Sequence, residues 1–405
     1  MTHGSIKSWL IAALLLTGCQ EKTGLEESPA TVTASAETPG DDTGLKNRLA
    51  TIPRVRPWPL SWFEPKETIK GAQQSRGLPA GRPQPRLSQD AWSAALSYAK
   101  ERDTDILAVW KDGAIDRIWT KPGYQPEQHL NTYYLNYFVL VTAIGIAIDD
   151  DAIETIDEPI SQFLPEWKGQ PRGDIKVRNL LEMNAGLEMY KDNIDPADKA
   201  TRLFFGSQST QAALEYDLKT APGTLFEYNY VVPELLGIVL QRATGERYAD
   251  FVSRRIWQPL GNDDAAVWLD REGGRPHFNA GLFADGDDWL RFAIMIAQGG
   301  TFDGQQIVPP SWIERMQQPS QAKENYGFVW LAEPFEKRRE LSETVAYVVM
   351  ANEPFATKDL MIFDGYGGQR LYVSTDEQLV ILRIGATARD TWDDSYLPNL
   401  IAGGF

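Results

Sequence analysis

The stretch Leu135–Ile148 is almost wholly apolar. A helix that is hydrophobic on all of its faces has to be enclosed by other elements, so this stretch predicts a buried helix inside one large domain. The acidic run Asp149-Asp150-Asp151 follows it directly. Such a run is typical of a solvated loop, and we expect no metal ion there.

Strand and helix patterns are distributed unevenly along the chain. Asp90–Arg102 carries apolar residues at helical spacing. Two strands follow, joined at Asp112-Gly113, because Asp-Gly accepts the positive φ of a tight hairpin. The predicted strands are Asp105–Trp110, Ala114–Trp119, Tyr326–Leu331, Ala346–Met350, Arg370–Val373 and Leu379–Ile384. The predicted helices of the middle region are Val177–Met183, Glu234–Thr244 and Asp288–Gln298.

This distribution predicts an α+β fold. We expect strands from both ends of the chain to form one antiparallel sheet. The opening helix and the segment around Tyr396–Ile401 should flank that sheet. Between the two groups of strands we expect an inserted all-helical lobe over about Asp151–Gln318.

The amino terminus has the pattern of a secretory leader. Lys7 precedes an apolar run, Trp9–Leu16, which is shorter than the roughly 20 residues of a bilayer-spanning helix and is typical of a signal peptide. The run ends in Leu16-Thr17-Gly18-Cys19, which resembles the bacterial lipobox. The resemblance implies a signal peptide at 1–18 and a lipid on Cys19 that holds the protein on the membrane of the cell envelope. With Gln20 after the cysteine, the resemblance implies the outer membrane, facing the periplasm. The alternative is an ordinary secretory signal with an incidental cysteine.

Composition indicates how the rest of the chain is organised and which partners it excludes. Residues 19–52 are poor in large apolar side chains and predict a flexible acidic tether, while residues 53–405 form one domain. The net charge is −16, which argues against nucleic acid as a partner. The chain has only three histidines and one cysteine, which favours a protein without a metal or other cofactor. The sequence leaves the oligomeric state open.

Several stretches resemble one enzyme family, the serine β-lactamase and penicillin-binding-protein superfamily. The likeness is greatest to its class C and esterase-like branch, which includes the 6-aminohexanoate-dimer hydrolases. It extends over Asp90–Gly385. The stretches are Ala143–Asp150, Ile175–Leu187, Pro222–Tyr228, Leu235–Gly237, Arg242–Gly245, Ile256–Gly261 and Gly365–Val373. The resemblance implies a β-lactamase/transpeptidase-like fold.

The family's chemistry rests on three motifs, and this chain departs from the first. Ser-x-x-Lys at the start of the buried helix supplies a nucleophile and its base one turn apart. Counting back from Gly145 puts Tyr134 at the serine position and Tyr137 at the lysine position. The resemblance therefore implies the scaffold of a serine hydrolase with neither catalytic residue intact.

The second and third motifs are retained in altered form. Tyr-x-Asn or Tyr-x-Ser corresponds to Tyr228 followed by Tyr230, and the Lys/His-x-Gly strand corresponds to Tyr366-Gly367-Gly368. By resemblance these residues line the pocket together with the two tyrosines of the first motif. They either fill the pocket and stabilise the fold, or they bind a ligand without turning it over.

The chain contains other hydroxyl groups that are candidate nucleophiles. The pairs Ser97–Lys100 and Ser320–Lys323 match Ser-x-x-Lys but lack the apolar helix behind them, which favours chance matches. Thr132 has no obvious base, and Tyr134 has no lysine one turn on.

Three hypotheses for function follow. The first is a non-catalytic binding or regulatory lipoprotein whose ligand is a cell-wall fragment, a peptide or a small amide or ester. The second is an amidase or esterase with low or displaced activity. The third is a structural scaffold for a partner enzyme of the envelope.

Overall fold

A computed structural model of the protein describes residues 43–53, 58–125, 127–189, 194–341, 348–385 and 392–405. The predicted signal peptide, Cys19 and most of the predicted tether lie outside these ranges. The helices are α1 Thr43–Ala50, α2 Gln89–Lys100, α3 Leu135–Asp149, α4 Val177–Leu181, α5 Lys199–Phe205, α6 Ser209–Leu214, α7 Val231–Thr244, α8 Tyr248–Val252, α9 Gln258–Leu260, α10 Gly286–Ala297, α11 Pro310–Met316 and α12 Tyr396–Ala402. No helix in the described part of the chain is long and apolar enough to cross a membrane.

The strands within the described ranges contain between two and eight residues. They are β1 Lys66–Ile69, β2 Thr104–Lys111, β3 Ala114–Thr120, β4 Leu130–Asn131, β5 Ala265–Trp268, β6 Leu282–Ala284, β7 Thr301–Phe302, β8 Gln305–Gln306, β9 Trp330–Leu331, β10 Arg338–Glu340, β11 Val348–Met350, β12 Met361–Gly365, β13 Gln369–Ser374 and β14 Leu379–Gly385.

Six strands from both ends of the chain form the main sheet, in the order β3-β2-β14-β13-β12-β9. All neighbours in this sheet are antiparallel, and β14 from the carboxyl end pairs with β2 from the amino end. Asp112 and Gly113, at the β2–β3 turn, have φ values of 46° and 84°. The predicted α+β class, the sheet built from both termini and the Asp-Gly hairpin are therefore confirmed.

Helix α3 lies at the centre of the molecule, as its composition predicts. All of its residues from Leu135 to Ala147 are buried. The helix packs against α7 and β12. Gly145 permits close contact with Trp312, because a Cβ at this position would lie 2.4 Å from the Trp312 ring.

The prediction of an all-helical inserted lobe is wrong. Strands β5 and β6 lie inside the insertion and form a second antiparallel sheet with β1 and β4, in the order β1-β5-β6-β4. Every residue of β6 is buried, so this strand shows no alternation of polar and apolar residues. Its partner β4 also lies far away in the sequence, since Asn131 pairs with Phe283, and a local pattern carries no information about this pairing.

Two further strand predictions change in detail. The strand predicted at Tyr326–Leu331 shortens to β9, because Phe328 donates its N–H to the carbonyl of Met316 and Gly327 donates to Val329, which makes this stretch a turn. The strand predicted at Ala346–Met350 is observed as β11, and its first two residues lie outside the described ranges.

The folded part of the chain begins earlier than predicted. Helix α1 lies within the stretch assigned to the tether, 19–52, and its Leu45 is buried. The Arg48 guanidinium donates to four main-chain carbonyls, which belong to Phe205, Gly206, Glu64 and Leu269. These contacts fix α1 on the domain, so the end of the predicted tether is corrected to a point before Thr43.

Candidate functional site

The start of α3 is fixed by polar contacts on both sides. Tyr133 has a left-handed φ of 50°, and its N–H donates to Asn131 Oδ1 over 3.1 Å. Asn136, in the first turn, donates to the carbonyl of His277 at 3.0 Å and accepts from the Tyr248 hydroxyl at 2.7 Å. The positions that the sequence analysis predicts for the first motif therefore have a defined geometry.

Tyr134 and Tyr137 occupy these positions at the amino end of α3. Tyr134 immediately precedes the helix and is half-buried. Its ring centroid lies 5.6 Å from that of Tyr228 and 5.2 Å from that of Tyr230. Tyr137 is fully buried, and its hydroxyl donates to the carbonyl of Leu181 over 3.1 Å.

The electrostatics of the buried phenols disfavour acid–base chemistry. Burial raises the pKa of Tyr137 well above its ordinary value, because a phenolate would lose its hydration. Burial likewise raises the pKa of Tyr326, whose ring packs against that of Tyr228 at a centroid distance of 6.3 Å. These phenols stay neutral at physiological pH and offer no general base.

The segment Tyr228-Asn229-Tyr230 is held between two parts of the chain. The Tyr228 N–H donates to the carbonyl of Leu341, next to β10, at 2.8 Å. The Asn229 side chain donates to the carbonyl of Glu188 at 2.9 Å. This arrangement places the Tyr228 ring 5.6 Å from Tyr134 and 6.4 Å from Tyr137, so the structure brings these three predicted pocket residues together.

The third motif forms the turn between β12 and β13. Gly367 and Gly368 have φ values of 84° and 80°. The buried Arg383 guanidinium donates to both of their carbonyls, at 3.2 and 3.0 Å. Tyr366 contacts the Tyr133 ring at a centroid distance of 5.5 Å. Tyr366 therefore joins the site through Tyr133, a residue that the sequence analysis did not single out.

We call the seven residues Tyr133, Tyr134, Tyr137, Tyr228, Tyr230, Tyr326 and Tyr366 the tyrosine cluster. A small cavity lies beside it, lined in part by Met183, Gly186, Glu227 and Asn229, with a volume of about 10 Å³. Such a volume is close to the minimum that one water molecule needs. Tyr326 was missed because its strand prediction carried no functional signal.

The two Ser-x-x-Lys sequences elsewhere lie in other settings. Ser97 and Lys100 are exposed on α2. Ser320 is buried in a turn and bonds the main chain of Lys323, whose ammonium pairs with Glu336 at 2.7 Å. Neither pair lies at the start of a buried helix, which agrees with chance matches.

A profile of the family described as Beta-lactamase matches residues 138–402. Together with the antiparallel main sheet and the buried central helix, this match over more than half of the chain shows that the protein belongs to the β-lactamase family. The matched region begins four residues after Tyr134.

Individual relatives agree with this assignment. A 6-aminohexanoate-dimer hydrolase of Paenarthrobacter ureafaciens is 25% identical over 264 residues, which cover 61% of this chain and 67% of that protein. A Bacillus anthracis structure assigned to the 6-aminohexanoate-dimer hydrolases superposes with a TM-score of 0.67 at 18% identity, over 85% of this chain and 90% of that one. A family VIII carboxylesterase has a TM-score of 0.59 at 15% identity, over 81% and 98%. The structural likenesses confirm the predicted β-lactamase/transpeptidase-like fold.

Proposed function

We propose that the protein is a non-catalytic member of its family and that it binds a ligand or a partner at the tyrosine cluster. One observation carries the proposal. The Tyr137 hydroxyl is buried and bonded to the carbonyl of Leu181, at the position where the resemblance calls for the lysine base. Without a base, a hydroxyl at position 134 stays protonated, because a phenol has a reference pKa near 10.

The composition of the cluster supports binding of an uncharged or weakly polar group. Tyrosine rings provide flat apolar surface, and their hydroxyls provide hydrogen bonds at the edge. Half-buried Tyr134, Tyr230 and Tyr366 are the members that a ligand would meet first. A cell-wall fragment, a peptide or a small amide or ester has this combination of apolar and hydrogen-bonding groups.

A displaced hydrolase is the second candidate, and Thr132 favours it. Its side chain is fully buried, and within the described ranges no group bonds its Oγ1. Thr132 also lies against the third motif, because a Cβ on Gly365 would come within 2.3 Å of the Thr132 carbonyl oxygen. Relatives that carry the name 6-aminohexanoate-dimer hydrolase support an amide or ester as the substrate of such an enzyme.

Covalent labelling separates the two candidates. We expect a fluorophosphonate and a fluorescent penicillin to leave the wild-type protein unlabelled, because neither Tyr134 nor Thr132 has a base. Thr132→Val and Tyr134→Phe are the matched controls. Labelling of the wild type that disappears in one of these variants would establish the displaced hydrolase and contradict the proposal.

We also propose that the protein is a lipoprotein of the outer membrane, anchored through Cys19. The support is the sequence Leu16-Thr17-Gly18-Cys19 after a short apolar run. Cys19→Ser should release the protein into the soluble periplasmic fraction, because the leader is too short to span a bilayer. A variant that remains in the membrane pellet after a carbonate wash would contradict the anchor.

A further inference from the structure

Three aspartates meet at the amino end of α10. Asp263 precedes β5, Asp285 follows β6, and Asp288 lies in the first turn of the helix. One carboxylate oxygen from each lies within 4.8 Å of the other two. Asp285 and Asp288 are buried, and Asp263 is half-buried. Carboxylates held so close together repel one another unless a cation lies near them.

The described side chains compensate this charge only in part. Arg291 Nη1 bonds Asp288 Oδ1 at 2.9 Å. At the amino end of α10, the Asp288 N–H donates to Asp285 Oδ1 at 2.8 Å, and the helix dipole adds partial positive charge there. Lys70 is directed elsewhere, because it pairs with Asp264 at 2.8 Å. Within the described residues, one guanidinium thus faces three carboxylates.

A second observation concerns the free oxygen of Asp288. Its Oδ1 also accepts the Asp263 N–H at 3.0 Å. Its Oδ2 is buried and accepts no hydrogen bond from any described residue, although the Asp288 side chain is only 1% exposed. A buried carboxylate oxygen without a donor costs free energy. A small cation beside this oxygen would offset that cost.

We propose that Asp263, Asp285 and Asp288 bind a calcium ion. The donors are all carboxylate oxygens, which are the ligands that hard cations such as calcium and magnesium prefer. Zinc sites usually contain histidine or cysteine ligands, and this cluster has neither. Calcium fits better than magnesium, because it tolerates irregular coordination from loops and a helix end. The half-buried Asp263 side leaves room for water ligands.

The ion would connect the residue before β5 with the amino end of α10. Asp263 lies before β5 and Asp285 after β6, and α10 packs against β13 and β14 of the main sheet. Calcium at this point would therefore fasten the second sheet to the main sheet through α10. The site shares no residue with the tyrosine cluster, so the calcium proposal does not depend on the proposed function.

Thermal unfolding and titration calorimetry of the full-length protein test the site. After treatment with EDTA, added CaCl2 should raise the midpoint of unfolding in a saturable manner and bind with a stoichiometry of one. Asp263→Asn and Asp288→Asn should both abolish the shift. Asp264→Asn and Asp287→Asn are matched controls that remove neighbouring carboxylates outside the site, and they should retain it.

Two variants, Asp263→Asn and Asp288→Asn, are used so that the site can still be tested if one of them fails to fold. Asp263 is half-buried, so its variant should fold even if Asp288→Asn does not. No calcium-dependent shift at millimolar concentration, or a shift that survives in Asp263→Asn, would overturn the proposal. An equal shift with MgCl2 at the same concentration would overturn the choice of calcium.

Discussion

The double variant Tyr134→Ser with Tyr137→Lys should hydrolyse a small activated ester. The two positions lie one turn apart at the start of a buried helix, so a serine and a lysine there would be neighbours. The amine introduced at position 137 could then accept the proton of the new hydroxyl at position 134. The Tyr228 ring contacts both positions, and the resemblance implies that its phenol belongs to the second motif.

The single variants define the expected gain. Tyr134→Ser alone has a nucleophile without a base, and Tyr137→Lys alone has a base without a serine. Because a positioned general base contributes about 10²-fold or more, the double variant should exceed Tyr134→Ser by about that factor. Equal rates for the double and single variants would show that Tyr137 does not occupy the position of the base.

Loss of the two rings should also lower stability. Tyr137 is fully buried and Tyr134 half-buried, so smaller or thinner side chains leave a cavity at a cost of a few kcal/mol. Activity should therefore be measured well below the unfolding temperature of the variant. Circular dichroism at the assay temperature distinguishes an unfolded variant from a folded one that lacks activity.

Asp394→Asn should be the most destabilising conservative substitution that we predict. Asp394 is fully buried and bonds Arg370 Nε at 2.6 Å, the Tyr372 hydroxyl at 2.8 Å and Trp392 Nε1 at 2.9 Å. Arg339 pairs with its other oxygen. Removal of the charge leaves two buried guanidinium groups without their carboxylate, at a cost of about 3–5 kcal/mol in chemical unfolding.

The Asp394 carboxylate also makes the free energy of unfolding depend on pH. Burial alone would raise the pKa of Asp394, but Arg370 and Arg339 overcome this effect and lower it to about 2. The unfolded value is about 3.9, so this contribution is complete above that pH and is lost as the pH falls towards 2. The wild type should lose stability in this window, and Asp394→Asn should lack that component.

An exposed pair provides the matched control. Arg76 and Asp303 pair at 3.0 Å with Asp303 70% exposed, so Asp303→Asn should cost only about 0–1 kcal/mol. Equal costs for the two variants would contradict the assigned role of the buried cluster.

The sequence predicts the parts of the fold that depend on local patterns. The apolar run Leu135–Ile148 marks α3 almost to the residue, and Asp112-Gly113 marks the first hairpin. The distribution of strand patterns at both ends of the chain predicts the sheet built from both termini. Local patterns do not predict the second sheet, because β1 and β5 pair residues about two hundred positions apart, such as Lys66 and Trp268.

The candidate site is predictable in its members but not in its contacts. Register within α3 places Tyr134 and Tyr137 together whatever their side chains. The contact of Tyr366 with Tyr133 depends on the left-handed backbone at Tyr133, which no pattern in the sequence indicates. Likewise, the bond from Tyr137 to Leu181 joins positions 44 residues apart and follows only from the packing of α4 near α3.

Ester turnover by the wild-type protein, compared with Tyr134→Phe, tests the central claim most directly. The phenylalanine variant removes the hydroxyl and keeps the ring, so packing against Tyr228 and Tyr230 is retained. If the site is non-catalytic, the two proteins should have the same rate, equal to that of buffer alone. Wild-type turnover that Tyr134→Phe abolishes would show that Tyr134 is a working nucleophile and would contradict the account.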